Sequence, residues 1–325
     1  MDTVSTATRP VAVDHSARNR RVIWLLLAAS FVVILNETIM GVALRELMLD
    51  LEIDARAAQW LTTAFMLTMA IVIPITGFLL QRFNTRPIFI AAMSLFSTGT
   101  FLAAVSPGFE MLLGARVIQA SGTAVMLPLL MTTIMTLVPV AQRGKTMGNV
   151  SIVISVAPAI GPTISGIILN TLTWRWMFWL VLPIALIMLF IGFRRVENVT
   201  EPERVPLDVL SVILSAFGFG GLIYGLSRIG EHGAADATAA EQAAAAMPMW
   251  IALGIGAVSL GLFIWRQLLL QRQNRALLDL RTFRSANFSV SVGVMVVSMA
   301  ALFGTIILLP IYMQQVLLLE PLQTG

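Results

Sequence analysis

The sequence predicts an all-α polytopic membrane protein with about nine transmembrane helices. Hydrophobic residues make up 58% of the 325 residues and charged residues only 12%, whereas a soluble domain carries about 25% charged residues. With a mean hydropathy of +0.87, the chain cannot cover a globular surface with polar groups, so most of its surface must contact lipid. The apolar runs approach or exceed about 20 residues, which suits a spanning helix and exceeds the roughly 10 residues of a barrel strand.

Nine apolar segments are long enough to span a bilayer. They lie at residues 22–44, 58–80, 87–105, 110–138, 146–170, 176–193, 208–227, 249–266 and 287–317. We interpret the first as an uncleaved span, because it is too long for a signal-peptide core and no small-residue cleavage site follows it. The fourth and ninth are longer than necessary, so we expect them to tilt or to extend past the interface. The Ala-rich, weakly acidic residues 231–248 are interpreted as a solvated outer connector.

The charges in the loops predict the orientation of these spans. If the amino terminus is cytoplasmic, sixteen of the 21 Lys and Arg residues fall on the inside, four fall outside and one lies within a span. The first and fourth outer loops are instead rich in acidic residues. This distribution satisfies the positive-inside rule at every turn and predicts a cytoplasmic amino terminus.

Several function classes are disfavoured by motifs that the sequence lacks. The chain has no cysteine, no G-x-x-x-x-G-K-[ST] phosphate loop and no H-E-x-x-H zinc motif, and its two histidines, His15 and His232, lie in polar stretches. The arginines recur in short loops instead of forming one patch, so nucleic acid is not an expected partner. Loops between the spans are too short for an enzymatic domain. We therefore expect no enzymatic activity, metal or cofactor, and an ion gradient as the source of energy.

Only two charged residues lie clearly inside the spans and not at their ends, and a charge costs roughly 3 kcal/mol at the bilayer centre. Glu37 in the first span and Arg116 in the fourth both lie about 10 Å below the outer surface, counting 1.5 Å per residue. We expect them to face a shared interior, where Glu37 takes up and releases a proton and Arg116 tunes its proton affinity. The alternative is a permanent ion pair that only fixes helix packing, although an isolated buried pair seldom adds net stability.

Polar neighbours extend this candidate site along both helices. Arg116, Gln119 and Thr123 recur at i, i+3 and i+7 and so form one stripe, while Asn36 lies beside Glu37. We expect both stripes to line a common aqueous cavity. Hydrogen bonding within the helix core is the alternative.

The fifth span has no charge but contains two prolines, Pro158 and Pro162, each of which removes a backbone hydrogen bond and kinks the helix. Ala157, Gly161 and Ser165 follow at i, i+4 and i+8 and form a small-residue ridge that allows close helix contact. We interpret this span as the pivot of a moving helix pair. A static kink is the alternative.

Four motifs along the chain resemble those of the fourteen-span drug:proton antiporter branch of the major facilitator superfamily. The first is LNETIMGVAL at 35–44, and the second is GFLLQRFNTRPIF at 77–89, which contains Gly77, Arg82 and Arg86 as the loop gating motif. The third consists of Arg116, Gln119 and Gly122 in the fourth span. The fourth is the antiporter motif, Pro158, Gly161, Pro162 and Gly166, which is followed by WRWMF at 174–178. Residues 277–289 and 309–325 look like the start of a carboxyl-terminal half. The sequence departs from the branch at Asn36, where an aspartate is usual, with Glu37 next to it.

This resemblance implies the major facilitator fold, with two six-helix bundles and two helices inserted between them. About nine of the fourteen helices would be present, so the sequence is expected to be truncated. The implied domains are a cytoplasmic tail at 1–21, an N-terminal six-helix bundle at 22–193, a cytoplasmic loop with the two inserted helices at 194–271, and an incomplete C-terminal bundle at 272–325.

The resemblance also implies a function: proton-coupled efflux of hydrophobic or cationic drugs across the bacterial cytoplasmic (inner) membrane, as in multidrug efflux and antibiotic resistance. The expected partners are a lipophilic small-molecule substrate, protons and membrane lipid, and a monomer is expected. Asn36, Glu37, Arg116 and Gln119 would couple proton to substrate, because the first and fourth spans line the central cavity of the fold. The alternatives are an exporter of an endogenous metabolite, a nutrient symporter, or an inactive membrane fragment or scaffold that lacks the C-terminal bundle.

Overall fold

Backbone polar groups find no water in hydrocarbon, so each apolar segment must satisfy them within a helix. The computed structural model describes residues 16–199, 208–229, 239–273 and 276–315, and all regular structure in these ranges is helical. The helices are α1 (Ser16–Asp50), α2 (Ala55–Arg82), α3 (Thr85–Ala104), α4 (Phe109–Leu137), α5 (Val140–Thr171), α6 (Arg175–Arg195), α7 (Val209–Ser227), α8 (Ala239–Gln271) and α9 (Ala286–Gln315), with a 3-10 helix at Leu280–Arg284. The all-α prediction is therefore confirmed.

Each predicted segment corresponds to one helix. In the described part of the chain, α1 to α8 are long and apolar enough to cross a membrane, and α9 is apolar over Ala286–Ala301. The connector predicted at 231–248 is wrong in its second half, because α8 begins at Ala239. Alanine is the strongest helix former, so this Ala-rich stretch extends the helix. The predicted tail up to residue 15, the connector up to residue 238 and the chain beyond residue 315 lie outside the described residues.

Helices α1 to α6 pack into one bundle, with α1 and α4 in contact with several neighbours. α1 packs along α5 and also contacts α4 and α6, while α4 lies between α2 and α3, and α3 packs on α6. The largest fully buried apolar side chains, which occupy the centre of this bundle, are Phe65, Phe89, Phe96, Leu26, Met40, Leu47, Leu61, Met93, Leu112, Met126 and Leu129.

Two glycines bring the backbones of α3 and α4 together. A Cβ at Gly99 would lie 2.5 Å from the Gln119 backbone nitrogen, and a Cβ at Gly122 would lie 2.7 Å from the Phe96 nitrogen. Real side chains do not tolerate such distances, so only glycine fits at these crossings. The close approach places the side chain of Gln119 within hydrogen-bonding range of α3.

Helices α7 and α8 form a glycine-rich hairpin. A Cβ at Gly221 would lie 2.6 Å from the Ala252 carbonyl oxygen, and a Cβ at Gly256 would lie 2.6 Å from the Leu222 nitrogen. The hairpin meets the six-helix bundle chiefly where α7 packs on α2, and there the rings of Trp60 and Tyr224 are in contact at a tilt of 38°.

A hydrogen-bonded node joins three elements at the other end of the bundle from the start of α1. Asp50, the last residue of α1, accepts from Trp174 Nε1 at 2.9 Å and from Arg175 NH1 at 2.8 Å. Arg175 NH2 also donates to the Ser106 carbonyl oxygen at 3.1 Å, in the loop between α3 and α4. The first two residues of the WRWMF sequence therefore anchor the start of α6 to its neighbours.

Candidate functional site

Arg116 lies at the centre of the candidate site, on α4 inside the bundle. Only 1% of it is exposed, and its guanidinium carbon lies 4.0 Å from the centre of the Phe65 ring on α2. Its NH1 donates to Gln119 Oε1 at 2.6 Å, one turn along the same helix, whereas its Nε is buried without a hydrogen-bond partner. The aromatic face and the amide oxygen therefore hold a buried cation that retains unused donor capacity.

A chain of hydrogen bonds fixes the orientation of Gln119. Its Nε2 donates to Thr100 Oγ1 on α3 at 2.8 Å, and Thr100 Oγ1 in turn donates to the Phe96 carbonyl oxygen at 2.7 Å. Each step is buried, and the chain ends on a backbone group that cannot rotate. The amide oxygen of Gln119 is consequently kept pointing at Arg116.

Glu37 approaches this arrangement from α1. It is partly buried, and its charge interacts electrostatically with that of Arg116. Among the described residues, Glu37 and Arg116 form no hydrogen-bonded ion pair. The hydrogen bond of the Arg116 guanidinium goes to Gln119 instead. The neighbouring Asn36 is buried, and its amide nitrogen has no hydrogen-bond partner. In the described part of the chain, the carboxylate of Glu37 therefore has no hydrogen-bond partner.

The polar stripe on α4 is enclosed in the bundle. Thr123 Oγ1 donates to the Gln119 carbonyl oxygen at 3.0 Å, and Gln119 has no exposed surface. For Gln119 and Thr123 this geometry matches hydrogen bonding within the core instead of the lining of an aqueous cavity. The close approach of α3 at Gly99 brings Thr100 within hydrogen-bonding distance of the Gln119 amide.

The small-residue ridge of α5 packs on α1 next to Glu37. Ser165 Oγ donates to the Ile39 carbonyl oxygen at 3.1 Å, and a Cβ at Gly161 would lie 2.9 Å from Thr38 Cβ. Ala157 is fully buried in the same interface. The remaining motif positions lie on other sides of α5: Pro158 is half-buried, Pro162 is exposed, and a Cβ at Gly166 would meet nothing within 4 Å.

The loop gating motif lies far from Arg116. Arg82 is exposed in the last turn of α2, 17 residues or about 25 Å of helix beyond Phe65. Gly77 is half-buried near the Leu277 carbonyl oxygen, and Arg86 NH2 donates to the Phe193 carbonyl oxygen at 2.9 Å. Arg86 thus joins the start of α3 to the end of α6.

Sequence reasoning missed a polar cluster between α7 and α8. Arg266 makes a bidentate pair with Asp208, with Nε to Oδ2 at 2.7 Å and NH2 to Oδ1 at 2.8 Å. Gln267 Nε2 donates to Ser211 Oγ at 2.7 Å, and Gln267 Oε1 accepts from the Leu278 backbone nitrogen at 3.1 Å. The hydrogen bonds from Arg266 are the main reason that the pKa of Asp208 lies below its ordinary 3.8.

Two further contacts of this site were also missed: Phe65, which packs against the guanidinium of Arg116, and Thr100, which accepts a hydrogen bond from Gln119. Thr100 is a polar residue inside an apolar segment, which was a usable signal, whereas nothing in the sequence distinguishes Phe65 from other core aromatics. Within the described ranges, no group of three or more His, Cys, Asp or Glu side chains could hold a metal ion.

The described helices form a bundle that is apolar enough to lie in a membrane and that places a partly buried acid on α1 and a buried arginine on α4. The chain belongs to the Major Facilitator Superfamily, whose family model matches residues 26–325.

Curated relatives agree with this assignment. The uncharacterized MFS-type transporter YcnB of Bacillus subtilis is 43% identical over 97% of this chain and 64% of its own length. The lincomycin resistance protein LmrB of Listeria innocua is 40% identical over 92% of this chain and 61% of its own length. A multidrug resistance protein B homolog of Mycobacterium tuberculosis is 28% identical over 99% of this chain and 59% of its own length. The chain thus spans about three fifths of the length of these relatives.

Solved structures share the fold at low sequence identity. The peptide transporter POT in complex with sulfate matches 69% of this chain and 55% of its own, with a TM-score of 0.53 and 14% identity. The human organic anion transporter MFSD10 (TETRAN) matches 63% of this chain and 55% of its own, with a TM-score of 0.52 and 16% identity. These matches establish the fold of the family.

Proposed function

We propose that this chain belongs to a proton-coupled antiporter that exports hydrophobic or cationic drugs, in the fourteen-span branch of the superfamily. Its place would be the bacterial cytoplasmic membrane, with the amino terminus in the cytoplasm. The names of the relatives, which include lincomycin resistance and multidrug resistance proteins, support drug efflux. The observation that carries the coupling mechanism is that Glu37, which is partly buried and has no hydrogen bond among the described residues, interacts electrostatically with the fully buried Arg116.

In this mechanism Glu37 alternates between a proton and a cationic substrate. When Glu37 is ionised, its negative charge offsets that of Arg116, whose position is set by Gln119 and Phe65. A proton removes this negative charge and leaves Arg116 uncompensated, which disfavours a bound cation at the same time. Proton and substrate therefore exclude one another, as antiport requires, while α1 moves against the ridge of α5.

The test is drug-driven proton movement in inverted membrane vesicles that contain the full product of the gene. A preset pH gradient is followed while ethidium or lincomycin is added to wild type, Glu37→Gln and Glu46→Gln. Glu46 is the matched control, because it lies on the same helix but is exposed. We expect wild type and Glu46→Gln to dissipate the gradient and Glu37→Gln to lose the response.

Two results would contradict parts of this proposal. An equal response of Glu37→Gln and wild type would place coupling at another group. The absence of a response to either compound in any variant would remove drug efflux as the function.

A further inference from the structure

A cavity lined by arginines lies where α1 begins and α6 ends. It measures about 310 Å³, and its described lining residues are Arg18, Arg21, Arg194, Arg195 and Glu197. Arg21 precedes Glu37 by 16 residues, or about 24 Å along α1, so this cavity is separate from the candidate transport site.

The cavity carries an excess of positive charge. Arg18 NH1 lies 3.5 Å from Glu197 Oε2, in an ion pair that is partly exposed on both sides. This acid can compensate one of the four guanidinium groups. Arg21 and Arg195 make no hydrogen bond or ion pair in the described part of the chain, so their donors are free to face an anion.

Exposed aromatic side chains lie one helical turn away from two of the lining arginines, toward the middle of each helix. Trp24, one turn after Arg21 on α1, is 54% exposed, and Phe190, one turn before Arg194 on α6, is 60% exposed. The guanidinium of Arg194 stacks over the Phe190 ring at 5.2 Å. In a bilayer, the arginines would lie at the level of the lipid headgroups, and the rings of Trp24 and Phe190 would lie next to them at the level of the upper acyl chains.

We propose that this cavity binds the phosphate of an anionic phospholipid such as phosphatidylglycerol. Guanidinium groups match phosphate oxygens in a bidentate geometry, and the neighbouring rings would contact the first methylenes of the acyl chains. The positive-inside rule accounts for arginines on this face of the bundle. It does not account for their convergence from two helices on one cavity. The bound lipid holds the start of α1 against the end of α6.

Native mass spectrometry of the purified protein tests this proposal. Retention of phosphatidylglycerol is compared with retention of phosphatidylcholine for wild type, Arg21→Gln/Arg195→Gln, and the control Arg20→Gln/Arg272→Gln. The control removes two exposed arginines that lie on the same face of the protein but do not line the cavity. We expect wild type and control to prefer phosphatidylglycerol. The cavity variant should lose about fivefold in affinity for each arginine removed.

Three outcomes would overturn the proposal: equal losses in the two double variants, equal retention of the two lipids by wild type, or displacement of the lipid by millimolar inorganic phosphate. The last would assign the cavity to soluble anions. A second measurement needs no variant. A photoreactive phosphatidylglycerol should label wild-type peptides that contain residues 18–24 and 190–197, and labelling confined to other helices would also overturn the proposal.

Discussion

Arg116 shows how a charged residue is kept inside the bundle. Its guanidinium has an aromatic ring on one side and an amide oxygen at 2.6 Å, yet no carboxylate in the described part of the chain is hydrogen-bonded to it. A buried charge without full compensation is costly, so each remaining partner matters more than it would on a surface. We expect the loss of Gln119 to be the most costly, because its side chain accepts a hydrogen bond from Arg116 and donates one to Thr100.

Replacing Gln119 by leucine should therefore destabilise the bundle. The change leaves an Arg116 donor and the Thr100 hydroxyl without their buried partner, which costs about 1–3 kcal/mol. Thermal unfolding of the purified protein measures the effect, with Gln81→Leu as the control, since Gln81 is exposed near the end of α2. Equal midpoints for the two variants would show that the hydrogen bonds of Gln119 carry no net stability.

Close contacts between helices depend on the positions of glycine residues. Gly161 lies against Thr38 of α1, whereas Gly166, five residues along the same helix, faces open space. Both are glycines inside α5 and belong to the antiporter motif, so glycine disfavours the helix equally at the two positions and only their surroundings differ. The pair therefore separates the effect of packing from the effect of helix propensity.

We expect Gly161→Ala to destabilise the protein and to impair transport, because the new methyl group forces α1 and α5 apart. Gly166→Ala should be neutral or more stable by up to about 1 kcal/mol, since alanine favours helix more than glycine does. Thermal unfolding and ethidium efflux are measured for both. A Gly161→Ala variant as stable and active as Gly166→Ala would contradict the close contact between α1 and α5.

The pair between Asp208 and Arg266 should make the α7–α8 hairpin sensitive to acid. Arg266 holds the pKa of Asp208 below its ordinary 3.8, so the ionised form contributes stability at pH values above 3.8. That contribution is lost as the pH falls through the lower pKa of the folded state. Asp208→Asn should cost about 1–3 kcal/mol at neutral pH, and its difference from wild type should shrink in strong acid.

Unfolding curves at several pH values measure this difference, with Asp279→Asn as the control. Asp279 is exposed and its pair with Arg281 is open to solvent, so its replacement should have little effect. A constant difference between Asp208→Asn and wild type at all pH values would show that the charge of Asp208 plays no part.

The sequence predicted the helices and the buried charges, because hydrophobic length and the cost of a charge in lipid are local properties. It did not predict Phe65 as the partner of Arg116 or Thr100 as the partner of Gln119, since the rotation of one helix against another depends on all their neighbours. Asp208 and Arg266 were missed because 58 residues separate them: Asp208 directly precedes α7, and Arg266 lies in the last two turns of α8. Residues 239–248 were misassigned because the same alanines that suggest low complexity also favour helix.

For the molecule as a whole, the distribution of arginines defines two unlike faces. The ends of α2 and α6 carry Arg82, Arg194 and Arg195, whereas Glu110 opens α4 at the opposite face. The positive-inside rule predicts that the arginine-rich face lies in the cytoplasm. The absence of native cysteine allows this orientation to be tested with single introduced thiols.

We expect a membrane-impermeant maleimide to label Glu110→Cys in intact cells and Gln81→Cys only after the membrane is opened. Both positions are exposed, so a difference in labelling reports the side of the membrane and not burial. Labelling of denatured protein controls for expression. The reverse pattern would place the amino terminus outside and would also reverse the direction of transport that we propose.

Helices α7 and α8 pack closely on one another at their glycines, and this hairpin contacts the rest of the bundle chiefly through α2. It is therefore a module that could be lengthened, marked or exchanged while the six-helix core keeps its shape. Its outer side offers Ile251 and Val258, which are 54% and 63% exposed, as attachment points for spectroscopic probes. A probe there would supply a reference frame against which the motion of α1 and α5 could be followed during turnover.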